Sequence, residues 1–262
     1  MIDLHCHILP GVDDGARSLK ESLAMAQMAV RDGIHTIVAT AHTLNGVYVN
    51  PINKVVSWAH ALEKAFAKND ISLRLFAGSE VHICPHMVEQ IKKGTAGTIN
   101  RGGKYLLLEL PAQSIPGRVK EEIFSLKLNG ITPIIAHPER NALIRRDWKI
   151  LYELIGMGAL SQVTAMSVTG GFGIAVRQSA ETLLRQRMCH VIASDAHSAD
   201  ARPPVLSEAV EDAAEILGSY EEAVRMVTEV PAAILSGRVP EIAEPRPARS
   251  SVPFYKRWFK QS

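Results

Sequence analysis

The first fourteen residues, MIDLHCHILPGVDD, constrain the fold more than any other part of this sequence. The apolar start, Met1–Leu4, is typical of a strand, and His5 and His7 follow at its carboxyl end. Residues two apart on a strand point to the same face, so the two imidazoles could reach one metal ion. A Pro-Gly break then returns Asp13 and Asp14 toward the same end. We therefore expect the first strand to end in a group of metal-binding side chains.

Seven strand-like runs alternate with helical runs along the chain. The first helix starts with a capping box of Ser18 and Glu21. Several strands are continuously apolar, as expected where both faces of a parallel sheet are covered. A closed or nearly closed βα barrel is favoured over an open sheet, because side chains from the first and last strands must meet at one place. The expected strands are 1–4, 36–40, 72–77, 105–109, 132–136, 160–164 and 190–194, and the expected helices are 19–32, 52–69, 87–93, 119–129, 149–157, 174–186, 205–217 and 221–230.

Composition and charge indicate an ordinary globular protein. A net charge of +2 is too small to indicate nucleic-acid binding, and three scattered cysteines are too few for a disulfide framework or a zinc ribbon. No apolar run approaches the roughly 18 residues of a membrane span, and the start lacks the pattern of a signal peptide. We predict a cytoplasmic protein with a barrel domain over residues 1–239. A Pro-rich basic tail follows over 240–262, and we expect it to be partly disordered or packed over the barrel.

Histidine, aspartate and glutamate stand at or just past the carboxyl ends of the predicted strands, where a parallel barrel carries its active site. Imidazole with carboxylate suits Mn²⁺, Fe or Zn²⁺. The set is too large for one ion, so two or three ions sharing a bridging carboxylate are expected, with a bridging water whose pKa falls toward about 7. The candidate ligands are His5, His7, Asp13 or Asp14, His42, Glu80, Glu109, His137, Asp195 and His197.

The other five histidines lie before strands, on helices or in loops, and we expect none of them to bind metal. They are His35, His60, His82, His86 and His190. Asp3 lies inside the first strand and is predicted to orient a histidine.

Two arginines follow candidate ligands on loops. Arg140 lies in His-Pro-Glu-Arg-Asn after His137, and Arg202 comes five residues after His197. A guanidinium on a loop can hold phosphate oxygens through paired hydrogen bonds. Together with a metal cluster, the arginines indicate an anionic substrate, most simply a phosphate ester.

Other phosphatase and nucleotide motifs are missing from the sequence. A thiol-based phosphatase needs an arginine six residues after its cysteine, but Val12, Gln90 and Asp195 occupy those places. The run 98–105 lacks the leading glycine and the final Ser or Thr of a phosphate-binding loop, and no Gly-x-Ser-x-Gly is present. The glycine-rich run 170–173 is predicted to start a helix, where its amides could cap a phosphate or simply let the chain turn.

The order His-x-His, acid, His, Glu, Glu, His, Asp-x-His resembles the PHP superfamily of metal-dependent phosphoesterases. Within it, the opening Asp-Leu-His-Cys-His-Ile-Leu-Pro-Gly-Val-Asp-Asp-Gly, His-Pro-Glu-Arg-Asn and Ser-Asp-Ala-His resemble bacterial tyrosine-protein phosphatases of capsule and exopolysaccharide systems. The similarity spans roughly residues 1–237. It implies a distorted seven-stranded TIM-like βα barrel, a trinuclear site that usually holds manganese or iron, and a phosphotyrosine substrate on the cognate autokinase of polysaccharide export.

The resemblance also implies roles for the individual residues. Arg140 and Arg202 would grip the phosphoryl group while a metal-bridging hydroxide attacks in line. Relatives usually carry Thr-Pro-His-His where this chain has Thr40-Ala-His42-Thr43, so the second of these histidines is replaced by Thr43. One ion would take His5, His7, Glu80 and Asp195; a second would share Glu80 and add Glu109 and His137; a third would take His42, His197 and either Asp13 or Asp14.

Two other functions stay open at this point. One is a small-molecule phosphatase of the histidinol-phosphate kind, and the other is a non-catalytic module that docks on a kinase and holds metal incidentally. The sequence also leaves open the native metal, the substrate protein, a possible homo-oligomer and the role of the tail.

Overall fold

The computed structural model describes residues 1–246, and its centre is one sheet of seven parallel strands. The strands lie side by side in chain order, each paired with the next along the sequence. The strands are β1 (Ile2–Cys6), β2 (Thr36–Thr43), β3 (Arg74–His82), β4 (Tyr105–Glu109), β5 (Thr132–Ala136), β6 (Leu160–Thr164) and β7 (Val191–Ala193).

The sheet curls until its first and last strands meet. An isolated parallel bridge joins Cys6 to Ala196 just past β7, and the Asp195 amide donates to the His5 carbonyl at 2.8 Å. Asp3 strengthens this seam, because its carboxylate accepts from the amide and the hydroxyl of Ser194. The sheet is therefore a nearly closed barrel, as the spacing of the sequence predicts.

Helices alternate with the strands and cover the outside of the barrel. Within residues 1–246 they are α1 (Leu19–Arg31), α2 (Ile52–Lys68), α3 (Met87–Lys92), α4 (Val119–Leu128), α5 (Ala142–Arg146), α6 (Lys149–Gly156), α7 (Ala165–Thr169), α8 (Ile174–Arg185), α9 (Ser207–Leu217), α10 (Tyr220–Arg225) and α11 (Glu229–Leu235), with short 3₁₀ helices at Ile99–Arg101 and Pro138–Arg140.

Apolar side chains form two core layers. An outer layer lies between the strands and the helices and includes Ile37, Leu106 and Leu183. A smaller layer includes Leu107 and Ile134 together with residues of α11. Because helices cover the outside and α11 packs on the smaller layer, the polar side chains gather at the carboxyl ends of the strands.

Most element boundaries lie within about two residues of those expected from the sequence; the larger differences are at the ends of β2 and β3, in the last helices, and in the short helices α5 and α7, which were not expected. Ser18 caps α1, and its hydroxyl accepts from the Glu21 amide at 3.3 Å. Strands β2 and β3 run longer than their apolar stretches, because the ladder continues through the pair His42 and Glu80. The single helix expected over 221–230 is instead two helices, α10 and α11. Thr228 between them has φ −131° and ψ −82°, outside the helical region.

The expected tail begins as irregular chain. The Arg246 amide donates to the Gln186 carbonyl at 2.9 Å, and just before the tail the Tyr105 hydroxyl donates to the Arg238 carbonyl at 2.8 Å. The remainder of the predicted tail, 247–262, lies outside the described residues. Within the described part, we find no helix that is both long and apolar enough to cross a membrane.

Candidate metal centre

An irregularity in β1 places the two opening histidines at the centre of the cluster. The pairing of β1 with β2 shifts register between Asp3 and Cys6, and such a bulge re-aims side chains. Leu4 belongs to the smaller core layer, whereas Cys6 belongs to the outer one. His5 lies between these two residues and His7 follows Cys6, and the Nε2 atoms of the two histidines lie 3.1 Å apart.

Glu80 lies in the middle of the cluster and is fully buried. Its Oε2 lies 3.2 Å from Nε2 of His5, 3.2 Å from Nε2 of His7 and 3.0 Å from Nδ1 of His42. Its Oε1 lies 2.8 Å from Nε2 of His137. Within residues 1–246, Oε2 has no hydrogen-bond partner of good geometry. Atoms bound to one ion at about 2.1 Å lie roughly 3.0–3.4 Å apart, so this donor set fits a shared divalent ion.

Asp195 connects the imidazoles to the two arginines. Its Oδ1 lies 3.3 Å from Nε2 of His5 and 3.6 Å from Nδ1 of His197. Its Oδ2 accepts from Nη2 of Arg140 at 2.5 Å and lies 2.7 Å from Nη2 of Arg202. Burial alone would raise the pKa of this carboxyl, but the charges of His5 and both arginines hold it below its usual value. Asp195 is therefore ionised, and it faces imidazoles through Oδ1 and guanidiniums through Oδ2.

The two adjacent acids of the opening motif have different surroundings. Oδ1 of Asp14 lies 3.4 Å from Nε2 of His42 and 3.4 Å from Nε2 of His197. Oδ2 of Asp13 lies 2.8 Å from Nδ1 of His7 and accepts from the His42 amide at 3.1 Å. Asp14 thus faces the imidazole cluster, while Asp13 lies behind His7 and fixes its orientation.

Three groups of potential ligand atoms lie close enough together to surround an ion, and they share His7, His42 and Glu80. The groups are His7, Asp14, His42 and His197; His5, His7 and Glu80; and His42, Glu80 and Glu109. Of the predicted ligands outside these groups, His137 contacts Glu80, Asp195 contacts His5 and His7, and Asp13 contacts His7. Glu109 lies with His42, at 4.0 Å between Oε2 and Nδ1.

Carboxylates change the protonation of the buried histidines. Burial lowers the pKa of His7, but the charge and hydrogen bond of Asp13 outweigh it, and the pKa lies well above the usual value. The charges of Glu80 and Asp195 likewise outweigh burial and raise the pKa of His5. A hydrogen bond from His197 lowers the pKa of Asp14. The carboxylates therefore favour positive charge beside His5 and His7, as a site for divalent cations requires, whereas burial and the charge of His7 lower the pKa of His197.

Two contacts in the cluster were missed by the sequence reasoning. His82, expected to lie apart from the site, has its Nδ1 3.0 Å from Oε2 of Glu109. Gln162 places its Oε1 2.8 Å from Nδ1 of His5, so the other imidazole nitrogen is free to face a cation. A glutamine in the middle of a buried strand was the available signal for this contact.

The remaining polar residues take structural places. Asp3 was predicted to orient a histidine, and its carboxylate accepts from the His5 amide at 3.3 Å. Burial raises the pKa of Asp3 to about 6. The hydroxyl of Thr43 donates to the Thr95 carbonyl, away from the cluster. Outside the cluster lie His35, His60, His86 and His190.

The glycine-rich run after β6 brings an aromatic ring to the arginines. The Gly173 amide donates to the Gly170 carbonyl at 2.9 Å, which closes a turn directly before α8. Phe172 lies on this turn, with its ring centre 5.2 Å from Cζ of Arg140 and 5.6 Å from Cζ of Arg202. The run therefore starts a helix, as predicted, and it is the side chain of Phe172, rather than the backbone amides, that contacts the two arginines.

Comparison with known proteins gives a consistent family. A family model described as capsular polysaccharide synthesis, CpsB/CapC, matches residues 1–236. The tyrosine-protein phosphatase YwqE of Bacillus subtilis is 41% identical over 202 residues, covering 77% of this chain and 79% of the relative. The putative tyrosine-protein phosphatase CapC of Staphylococcus aureus is 38% identical over 222 residues, covering 85% and 86%.

Solved structures agree with the fold. A chain from the crystal structures of YwqE from Bacillus subtilis and CpsB from Streptococcus pneumoniae, described as unique metal-dependent tyrosine phosphatases, superposes with a TM-score of 0.90 at 37% identity. The match covers 95% of this chain and all of that one. The lactonase Lmo2620 of Listeria monocytogenes, at 15% identity and a TM-score of 0.56, shares the barrel alone, over 91% of this chain and 95% of its own. The protein described here belongs to the CpsB/CapC family of capsular polysaccharide synthesis.

Proposed function

We propose that this protein is a metal-dependent protein-tyrosine phosphatase. One observation carries the proposal: the two oxygens of Asp195 face different partners, with imidazoles on one side and two guanidiniums on the other. This arrangement supports the proposal, because the candidate metal ligands lie directly beside two arginines of the kind that hold phosphate. Relatives at 41% and 38% identity are named tyrosine-protein phosphatases, which supports phosphotyrosine as the substrate.

Mn²⁺ is the proposed metal, with Fe and Zn²⁺ as alternatives, and three is the proposed number of ions; the three overlapping groups of donor atoms support a site for more than one ion. Glu80 is the proposed bridging ligand because four imidazole nitrogens surround its two oxygens. We assign Asp14 rather than Asp13 as a ligand, because Asp13 is already paired with the far nitrogen of His7. The proposed ligands are His5, His7, Asp14, His42, Glu80, Glu109, His137, Asp195 and His197.

Bound divalent ions would supply Lewis-acid stabilisation and an activated water at neutral pH. Arg140 and Arg202 each direct one terminal nitrogen to Asp195, and a guanidinium has five N–H donors in all. The remaining donors can hold the phosphoryl oxygens and neutralise the charge that develops there. A tyrosine leaving group has a pKa near about 10, so it needs less protonation than an alkyl alcohol.

The proposal extends to where the enzyme acts. As substrate we propose a phosphotyrosine-containing autokinase of polysaccharide export, and as location the cytoplasm. The family description, capsular polysaccharide synthesis, supports this pairing.

Hydrolysis of a phosphotyrosyl peptide tests the function. Metal-stripped wild-type protein should be inactive and should regain turnover with Mn²⁺. The Arg140→Ala variant with Mn²⁺ should lose most of the wild-type turnover, because a phosphate contact is removed. Arg31→Ala, an exposed arginine in the last turn of α1, is the matched control and should behave as the wild type. Turnover of phosphohistidinol but not of the peptide would replace the proposal with a small-molecule phosphatase. Kinase binding without any turnover would replace it with the docking module.

A further inference from the structure

Two arginines contact the same carboxylate oxygen at the candidate centre, so their positive charges lie close together. Arg140 and Arg202 both contact Oδ2 of Asp195, with their side chains 22% and 26% exposed. Two like charges beside one oxygen repel each other, and Asp195 shares its own charge with His5 through Oδ1. Each guanidinium contacts Asp195 through one terminal nitrogen, with Nη2 of Arg202 also donating to the Asp195 carbonyl. Bonds through a single nitrogen leave the plane of the guanidinium free to turn.

Phe172 supplies such a contact to both arginines at once. Its ring centre lies within 6 Å of both guanidinium carbons, at 5.2 Å and 5.6 Å. The electron-rich face of an aromatic ring attracts a guanidinium at this distance, and the attraction grows when water is excluded. Phe172 is half-buried, so its contacts with the arginines are partly shielded from water.

The turn that carries Phe172 is held in place by close packing. A Cβ on Gly171 would lie 2.7 Å from the methyl carbon of Met166, and Gly170 and Gly173 have φ of +91° and +89°. The Gly173 amide closes the turn onto Gly170. Because glycine adopts positive φ without strain, the sequence allows this tight turn, and the turn holds Phe172 beside the arginines.

We propose that Phe172 is a positioning residue for the phosphate-binding arginine pair. Its ring holds the guanidiniums of Arg140 and Arg202 side by side, so that their free N–H groups point toward one phosphoryl group before substrate binds. This inference rests on the proposed function, because it assumes that the arginines bind phosphate. It assigns a role to a residue that is not among the candidate metal ligands.

Binding of inorganic phosphate to the Mn²⁺-loaded full-length protein, measured by titration calorimetry, tests the proposal directly. Phe172→Leu keeps an apolar side chain but removes the aromatic face, and it should weaken phosphate binding about tenfold. Phe172→Tyr keeps the face and should restore affinity to within about twofold of the wild type. Phe124→Leu, at an exposed phenylalanine of α4, is the matched control and should bind phosphate as the wild type does.

Kinetics with a phosphotyrosyl peptide give a second readout. In Phe172→Leu, KM should rise and kcat should fall, whereas metal content and melting temperature should stay at wild-type values. Unchanged phosphate affinity in Phe172→Leu overturns the proposal, as does a loss that Phe172→Tyr fails to restore. If the wild type hydrolyses the peptide while both variants bind phosphate normally, only the role of Phe172 is lost. If the wild type neither binds phosphate nor hydrolyses the peptide, the proposed function fails as well.

Discussion

At the scale of single residues, neighbouring positions in the opening motif have separate roles. Asp13 and Asp14 are adjacent in sequence, yet one lies behind His7 and the other faces His42 and His197. The sequence could place both acids near the strand end but could not choose between them. The choice depends on how the loop turns after Pro10, which packing against later strands determines.

Substitution of each acid should separate the two roles. Asp14→Asn should lower the number of Mn²⁺ ions bound per chain at saturation, because a proposed ligand is lost. Asp13→Asn should keep that number but weaken affinity by about 10–100-fold, the usual effect of losing a residue that orients a ligand. Elemental analysis and titration calorimetry measure the two quantities, with the exposed Asp70→Asn as control. The reverse pattern would make Asp13 the ligand.

His190 should make stability depend on pH. Burial lowers its pKa to about 4, and the Ser161 amide donates to its Nδ1 at 3.0 Å, a contact that needs this nitrogen unprotonated. The unfolded chain, with a histidine pKa near about 6.5, therefore binds the proton more readily. The contribution of His190 to the free energy of unfolding is therefore greatest above pH 6.5 and falls as the pH drops toward 4.

Denaturant unfolding at pH 7 and pH 5 checks this dependence. Between the two values, the free energy of unfolding of the wild type should fall by about 2 kcal/mol more than that of His190→Gln, which cannot titrate. Only the difference between the two pH values is compared, so an overall loss of stability in the variant does not matter. Equal pH dependence in the two proteins would show that His190 is not held neutral.

At the scale of elements, the apolar runs predicted the strands but not how their ends aim side chains. Strands β4, β5 and β6 have the bounds expected from sequence, because their apolar runs end where pairing ends. The register shift in β1 could not be predicted from the amino-acid sequence of the strand, since it arises from pairing with β2. His137 and Asp195 adopt positive φ of +34° and +50°, which tertiary contacts impose rather than local sequence.

The loop after β1 should be sensitive to one methyl group. A Cβ on Gly15 would lie 2.1 Å from the His7 carbonyl oxygen, so Gly15→Ala must displace the loop that carries both acids. We expect this variant to lose Mn²⁺ affinity by at least about tenfold and to melt at a lower temperature. Gly117→Ala meets nothing within 4 Å and is the matched control. Wild-type metal binding by Gly15→Ala would show that the loop can shift without moving its acids.

At the scale of the whole molecule, the candidate ligands come from opposite sides of the barrel seam. His5 lies in β1 and His7 just after it, while Asp195 and His197 follow β7, and few backbone contacts join these two strands. The order of strands was predictable because alternating elements in a single chain favour a barrel. The meeting of the first and last strands was predictable too, whereas the buried polar contacts that close the seam, such as those between Asp3 and Ser194, were not.

Metal should therefore stabilise the entire fold and not the site alone. An ion held by residues on both sides of the seam ties β1 to β7, and unfolding must break that link. At a free Mn²⁺ concentration one hundred times its Kd, we expect about 2.7 kcal/mol of added stability per independent ion. Calorimetric melting with and without Mn²⁺ measures the gain. His7→Ala should lose most of it, whereas His60→Ala, on the exposed face of α2, should keep it. A gain that survives in His7→Ala would mean that the stabilising ion lies away from the seam.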